Sequence, residues 1–109
     1  MEETLSQQDL AQLQASAASA CKLLKTLANE NRLLLLCQIS QGEKCVSDLE
    51  QATGIQQPTL SQQLTVLREQ ELVTTRREGK QIFYSVASPE AMAVIQVLYT
   101  LFCKETQHD

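Results

Sequence analysis

The sequence predicts a mainly α-helical fold of the α+β class, with elements in the order α-α-α-α-β-β-α. Three observations carry that prediction. Apolar residues recur at helical spacing near both ends of the chain. A glycine-containing turn separates two short helices in the middle. After Leu72 the period changes from helical to alternating.

The first helix is expected from about Ser6 to Leu27. Leu10, Leu13, Ala17, Ala20, Leu24 and Leu27 recur there at spacings of 3, 4, 3, 4 and 3. That is one narrow apolar seam, suited to packing on another long helix. Asn29 or Asn31 can cap a second helix through Arg32 to about Ser40, with Gly42 beyond its end. Its four leucines, Leu33 to Leu36, make it apolar nearly all round, as a central helix should be. A third helix is short, about Val46 to Ala52, and stops at Gly54. Pro58 suits the first turn of a fourth helix that ends near Gln70. On that helix Leu60, Leu64 and Leu67 share one face. Thr59, Gln62 and Thr65 point the other way, with Ser61 and Gln63 on the flanks. Val73 to Arg77, a Glu78-Gly79 turn, and Gln81 to Val86 read as a β-hairpin in which Ile82, Tyr84 and Val86 form one buried face. Ser88 can cap a last helix with Pro89 at its first position. Met92, Val94, Ile95, Leu98, Leu101 and Phe102 supply its apolar stripe. The order is that of a winged helix-turn-helix with an extra helix at each end.

At 109 residues the chain reads as one domain, 1–109, with residues 1–6 and 105–109 expected to be flexible tails. Aromatics are few and Trp is absent, so the core must come from Leu, Val, Ile and Ala. A chain so thin in bulky residues often completes its core by dimerising. No run of 18 or more apolar residues appears, and Met1-Glu2-Glu3 is acidic, which predicts a cytoplasmic protein without a membrane partner. Four cysteines in such a setting read as reduced thiols rather than a disulfide framework. No cofactor is expected. An enzyme is not expected either, since the one His, His108, is terminal and no acid–base constellation appears. The net charge of −4 weighs against generic nucleic-acid binding. Its distribution softens that objection, because Glu2, Glu3, Asp9 and Asp109 lie near the ends while Arg76-Arg77-Glu78-Gly79-Lys80 is a local cationic cluster.

A short helix, the turn Thr53-Gly54-Ile55-Gln56-Gln57 and a polar-faced second helix form a helix-turn-helix signature. Expected DNA contacts are Gln57, Thr59, Ser61, Gln62, Gln63 and Thr65, with Arg68 on phosphate from the far end of the helix. Gln62 is the best single candidate for a base contact, because Gln pairs bidentately with adenine. Arg76, Arg77 and Lys80 would reach backbone or minor groove from the hairpin. A solvated polar face on a small bundle is the blander alternative. The ordered succession of face, turn and basic hairpin speaks against it. A dimer would hold two reading helices about 34 Å apart and read a pseudo-palindrome in double-stranded DNA.

Ala28-Asn29-Glu30-Asn31-Arg32-Leu33, Thr59-Leu60-Ser61-Gln62-Gln63-Leu64 with Leu67-Arg68, and Arg76-Arg77-Glu78-Gly79-Lys80 with Tyr84-Ser85 resemble the ArsR/SmtB repressors. The resemblance runs from about residue 10 to 104. It implies a homodimer joined through the first and last helices, here with Leu10, Leu13, Ala17, Leu24, Ile95, Leu98, Leu101 and Phe102 at the interface. It also implies an inducer that weakens operator affinity. One departure is Gln63, where that family usually has His.

The family's soft-metal site is a Cys-Val-Cys motif, matched here by Cys45-Val46-Ser47, so one thiol is replaced by a poor ligand. The family's other common site needs His and carboxylates on the last helix, and residues 89–103 offer only Glu90. No metal is therefore expected. Cys45 also fits the cap position of a Cys-x-x-Asp capping box with Asp48, and Cys21 only flanks the first helix's seam. Cys37 and Cys103 lie in apolar helical patterns. Taken alone they read as small buried hydrophobes, the commonest fate of a free Cys. However, Leu35-Leu36-Cys37 together with Leu98-Tyr99-x-Leu101-Phe102-Cys103 resembles the BigR/SqrR/HlyU branch, which senses sulfane sulfur or oxidants through two cysteines in these helices. That resemblance implies a repressor switched by bridging Cys37 to Cys103. The alternatives are a metal-responsive repressor using Cys45 with other cysteines, and a DNA-binding architectural protein with no inducer.

Overall fold

A computed structural model describes residues 6–103. Of the expected tails, 1–6 and 105–109, all but Ser6 lie outside that range, His108 included. Ser6 belongs to the fold: its hydroxyl accepts from the Asp9 N–H at 3.0 Å and caps α1, Gln7–Leu27. Residues 7–22 of this helix are exposed throughout, and only Thr26 and Leu27 at its end are buried. Apart from Leu27, which enters the core, the apolar seam thus finds no partner within the protomer.

Asn29, of the two candidate caps, starts α2, Glu30–Ser40, by accepting from the Arg32 N–H at 3.0 Å. This helix packs on α1, on both following helices, on the sheet and on the last helix. It is central because Leu35, Leu36 and Ile39 bury one side almost completely, while Leu33 and Cys37 pack partly against the same core. Each such leucine contributes about 1.5–3 kcal/mol by leaving water.

A two-residue strand, β1 (Lys44–Cys45), precedes α3 (Val46–Thr53). Two residues carry no alternation, so this strand left no mark in the sequence pattern. Gly54 ends α3 with a left-handed φ of 77°, a conformation that costs glycine little. The reading helix α4 spans Thr59–Glu69, with Pro58 one position earlier than expected, at the cap itself. Leu60, Leu64 and Leu67 are buried on one face, as their spacing requires.

The hairpin pairs β2 (Val73–Glu78) with β3 (Gln81–Val86), so the turn is Gly79-Lys80 rather than Glu78-Gly79. Gly79 supplies the positive φ of 64°. The antiparallel sheet has the order β1-β3-β2. Tyr84 and Val86 pack against the core, as the alternation predicts. Ile82 through Val86 are all half-buried, and on the opposite face the Phe83 ring lies beneath the Arg76 guanidinium.

Ser88 caps α5, Pro89–Phe102, accepting from the Ala91 N–H at 3.0 Å, with Pro89 in the first position as expected. Ala91 and Ile95 enter the protomer's core. Ile95, at 4% exposure, is therefore a core residue and not part of a free interface face. The far end of the helix is uncovered: Leu101 is 60% exposed and Phe102 73%. The architecture is a winged helix-turn-helix flanked by two helices whose apolar faces are open.

Candidate nucleic-acid interface and thiol cleft

The outward face of α4 is narrower than its sequence implied. Ser61, Gln62, Thr65 and Arg68 are exposed, but Thr59 and Gln63 are half-buried. Three of the polar side chains are already engaged. Gln57 turns its amide oxygen to the Ser61 N–H at 3.1 Å and closes the first turn of α4. The Thr65 hydroxyl donates to the Ser61 carbonyl at 2.9 Å, which leaves it only as an acceptor. Gln63 accepts from Arg32 at 2.9 Å. Gln62 has no side-chain partner among the described residues and keeps both its donor and its acceptor.

The wing divides in the same way. Arg76 is engaged by carboxylates: Nε and Nη2 meet the two oxygens of Glu43 at 2.7 and 2.9 Å, and Nη1 meets Glu78 at 2.9 Å. Its guanidinium also lies over the Phe83 ring, 4.7 Å from the centroid. The bonds to Glu43 and then Glu78 hold the Arg76 pKa above its ordinary value, and that same contact lowers the Glu43 carboxyl. Arg76 is thus a strap tying the loop after α2 to β2, and its charge is compensated. Arg77 and Lys80 are exposed and make no ion pair among the described residues. They are the cations the wing can offer to phosphate. Arg32 and Glu43 were not foreseen. Arg32 stood inside the quoted motif only as an identity, and nothing about Glu43 in the chain marks it as a partner of Arg76.

The four cysteines carry no disulfide. Cys45 is buried at the start of α3. Its N–H donates to Asp48 at 3.2 Å, which lowers the Asp48 carboxyl, and its Sγ lies 3.3 Å from the Ser47 hydroxyl. The capping box is therefore present. Cys21 is exposed on α1. Cys37 and Cys103 come together: both line one cleft of about 740 Å³ between α2 and α5. Leu33, Leu34, Met92, Leu98 and Phe102 give it apolar walls. Burial pushes the Cys37 thiol above its ordinary value of 9.0, and the nearby Cys103 pushes it the same way. Cys103 lies at the end of α5 and is exposed.

Residues 29–75, which hold α2 through the start of β2, match the profile of bacterial regulatory proteins of the arsR family. The Biofilm growth-associated repressor of Agrobacterium fabrum is 52% identical over 91 residues, covering 84% of this chain and 78% of that one. The chain belongs to the arsR family. Within that family it falls in the branch of BigR and HlyU. The transcriptional activator HlyU of Vibrio cholerae is 38% identical over 91% of this chain and 92% of its own. The crystal structure of the transcriptional repressor BigR from Xylella fastidiosa superposes with a TM-score of 0.81 at 46% identity, over 91% of this chain and 98% of that one. ArsR-family proteins of this kind are DNA-binding transcriptional regulators. No helix among the described residues is long and apolar enough to cross a membrane.

Proposed function

We propose that this chain is a homodimeric, cytoplasmic transcriptional repressor that releases its operator when a persulfide or an oxidant bridges Cys37 to Cys103. The observation that carries this reading is the shared cleft of the two thiols between α2 and α5. Cys103 is the more accessible nucleophile, while Cys37 is held as a thiol by burial. Attack of the Cys103 thiolate on the outer sulfur of a persulfide R–S–SH gives Cys103–S–SH and releases RS⁻. Cys37, once deprotonated, attacks the Cys103 sulfur and expels HS⁻, leaving a disulfide. A second R–S–SH can add one more sulfur to Cys103–S–SH with release of RS⁻. Attack of Cys37 on the middle sulfur of the resulting chain then expels HS⁻ and leaves a trisulfide. A hydroperoxide instead converts Cys103 to a sulfenic acid and an alcohol, and condensation with Cys37 releases water.

The bridge pins the end of α5 to the helix that supports α4. In the dimer this changes the separation of two reading heads that otherwise match one turn of DNA. Coupling of about 1–3 kcal/mol, roughly 5–150-fold in affinity, is the usual scale of such an effect. Gln62 reads a base edge, Ser61 and Arg68 meet phosphate, and Arg77 and Lys80 hold the backbone from the wing.

The test is operator binding by reduced, persulfide-treated and peroxide-treated protein, repeated with Cys37→Ser and Cys103→Ser. Treatment should weaken binding by the wild-type chain and leave both variants unchanged. A full response in either variant sinks the bridge.

A further inference from the structure

We infer that Arg32 is a positioning residue for operator recognition, locking the amide of Gln63 in one orientation so that α4 presents its NH₂ end to DNA. Arg32 stands in the first turn of α2 and touches two other helices. Its Nε donates to the Thr26 carbonyl at 2.7 Å, and its Nη1 to Gln63 Oε1 at 2.9 Å. Thr26 lies in the last turn of α1, where carbonyls lack an intrahelical donor. Arg is suited to this bridge, because its planar fork fixes two acceptors in one geometry. One half-buried side chain therefore sets the end of α1, the start of α2 and the face of α4 against each other.

The consequence for DNA is chemical. A Gln side chain reads adenine by donating and accepting at once. With its oxygen held by Arg32, the Gln63 amide is fixed in one orientation, and its NH₂ group is the end left to donate to a phosphate, a purine N7, guanine O6 or thymine O4. Its neighbour Gln62 is exposed and keeps both functions. The two adjacent glutamines are thus unequal readers, and Arg32 makes them so.

This inference rests on α4 being the reading helix. Duplexes selected by the wild-type chain from a random pool test that premise by themselves, as discrimination against an unselected duplex. On those duplexes Arg32→Lys, which keeps the charge and loses the fork, should weaken specific binding about tenfold. Binding to unselected DNA and the salt dependence should stay within about twofold. In a Gln63→Ala background the same Arg32→Lys change should cost less than about twofold, because its effect passes through Gln63. An equal loss in both backgrounds, or no loss in either, overturns the inference. Gln63→Glu preserves the acceptor for Arg32, and with it the fold, but removes both donors. Its ratio of specific to unselected binding should fall, and an unchanged ratio also overturns the donor assignment.

Discussion

Cys37 shows how little of a thiol's chemistry is fixed by its position in the chain. Its helix makes it half-buried, and burial followed by the proximity of Cys103 raises its pKa above 9.0. In the reduced protein it is thus a thiol at neutral pH, waiting for the first sulfur to be modified. The sign of the linked stability follows. A folded-state pKa raised above the unfolded one stabilises the fold below the unfolded value, and that contribution is lost as pH rises through the folded value. Stability should therefore decline above about pH 9, and Cys37→Ala should flatten the decline. Urea denaturation of both proteins between pH 7 and about 10.5 measures this, and parallel curves would contradict it. Burial also decides the purely structural positions. Leu35 is fully buried in α2, so Leu35→Ala should cost about 2–5 kcal/mol in the same denaturation experiment, with a loss under about 1 kcal/mol as the contrary result.

The wing is the element where a row of like residues turns out to be functionally divided. Arg76, Arg77 and Lys80 look equivalent as a cationic cluster, yet Arg76 is compensated by Glu43 and Glu78 while the other two are not. Removing Arg77 or Lys80 should lower operator affinity and reduce the slope of log affinity against log salt by about 0.9 each. Glu43→Gln should do the opposite: it leaves Arg76 paired with Glu78 alone and steepens the slope. Titrating binding against salt for the three variants checks this, and equal slopes for wild type and Lys80→Ala would refute the wing contact. The same contrast explains what the sequence could and could not reveal. Helix spans, caps at Asn29 and Ser88, and the buried face of α4 were legible, because they depend on neighbours three or four residues away. The Glu43–Arg76 strap, the Arg32–Gln63 bond and the burial of Ile95 depend on residues far apart in the chain. Periodicity has no access to those. The partial cover of the second face of β3 was missed for a related reason, since Phe83 there is shielded by Arg76 of the neighbouring strand.

The whole molecule is incomplete as a protomer. Leu10, Leu13 and Leu24 on α1 are about half exposed, and Leu101 and Phe102 on α5 more so, which no isolated soluble domain requires. A second copy laying its end helices on these faces would bury them, and two-fold pairing is the ordinary way for one surface to satisfy itself. Leu13→Glu and Leu101→Glu test this cleanly, because both side chains are outside the protomer's core and outside the thiol cleft. Sedimentation should find monomers that retain the wild-type helical content, and operator affinity should fall with the loss of the second reading head. The double variant also separates two routes by which the thiols can act. If the bridge works by resetting the distance between two heads, the monomer will still form the Cys37–Cys103 bond under persulfide, and its weak DNA binding will not change. If instead the bridge distorts α4 through α2 inside one protomer, the monomer will keep its response. The thiols sit where α2 meets α5, between the reading head and an open apolar face, so the first outcome is expected. A monomer with an intact response would move the switch from the dimer into the protomer.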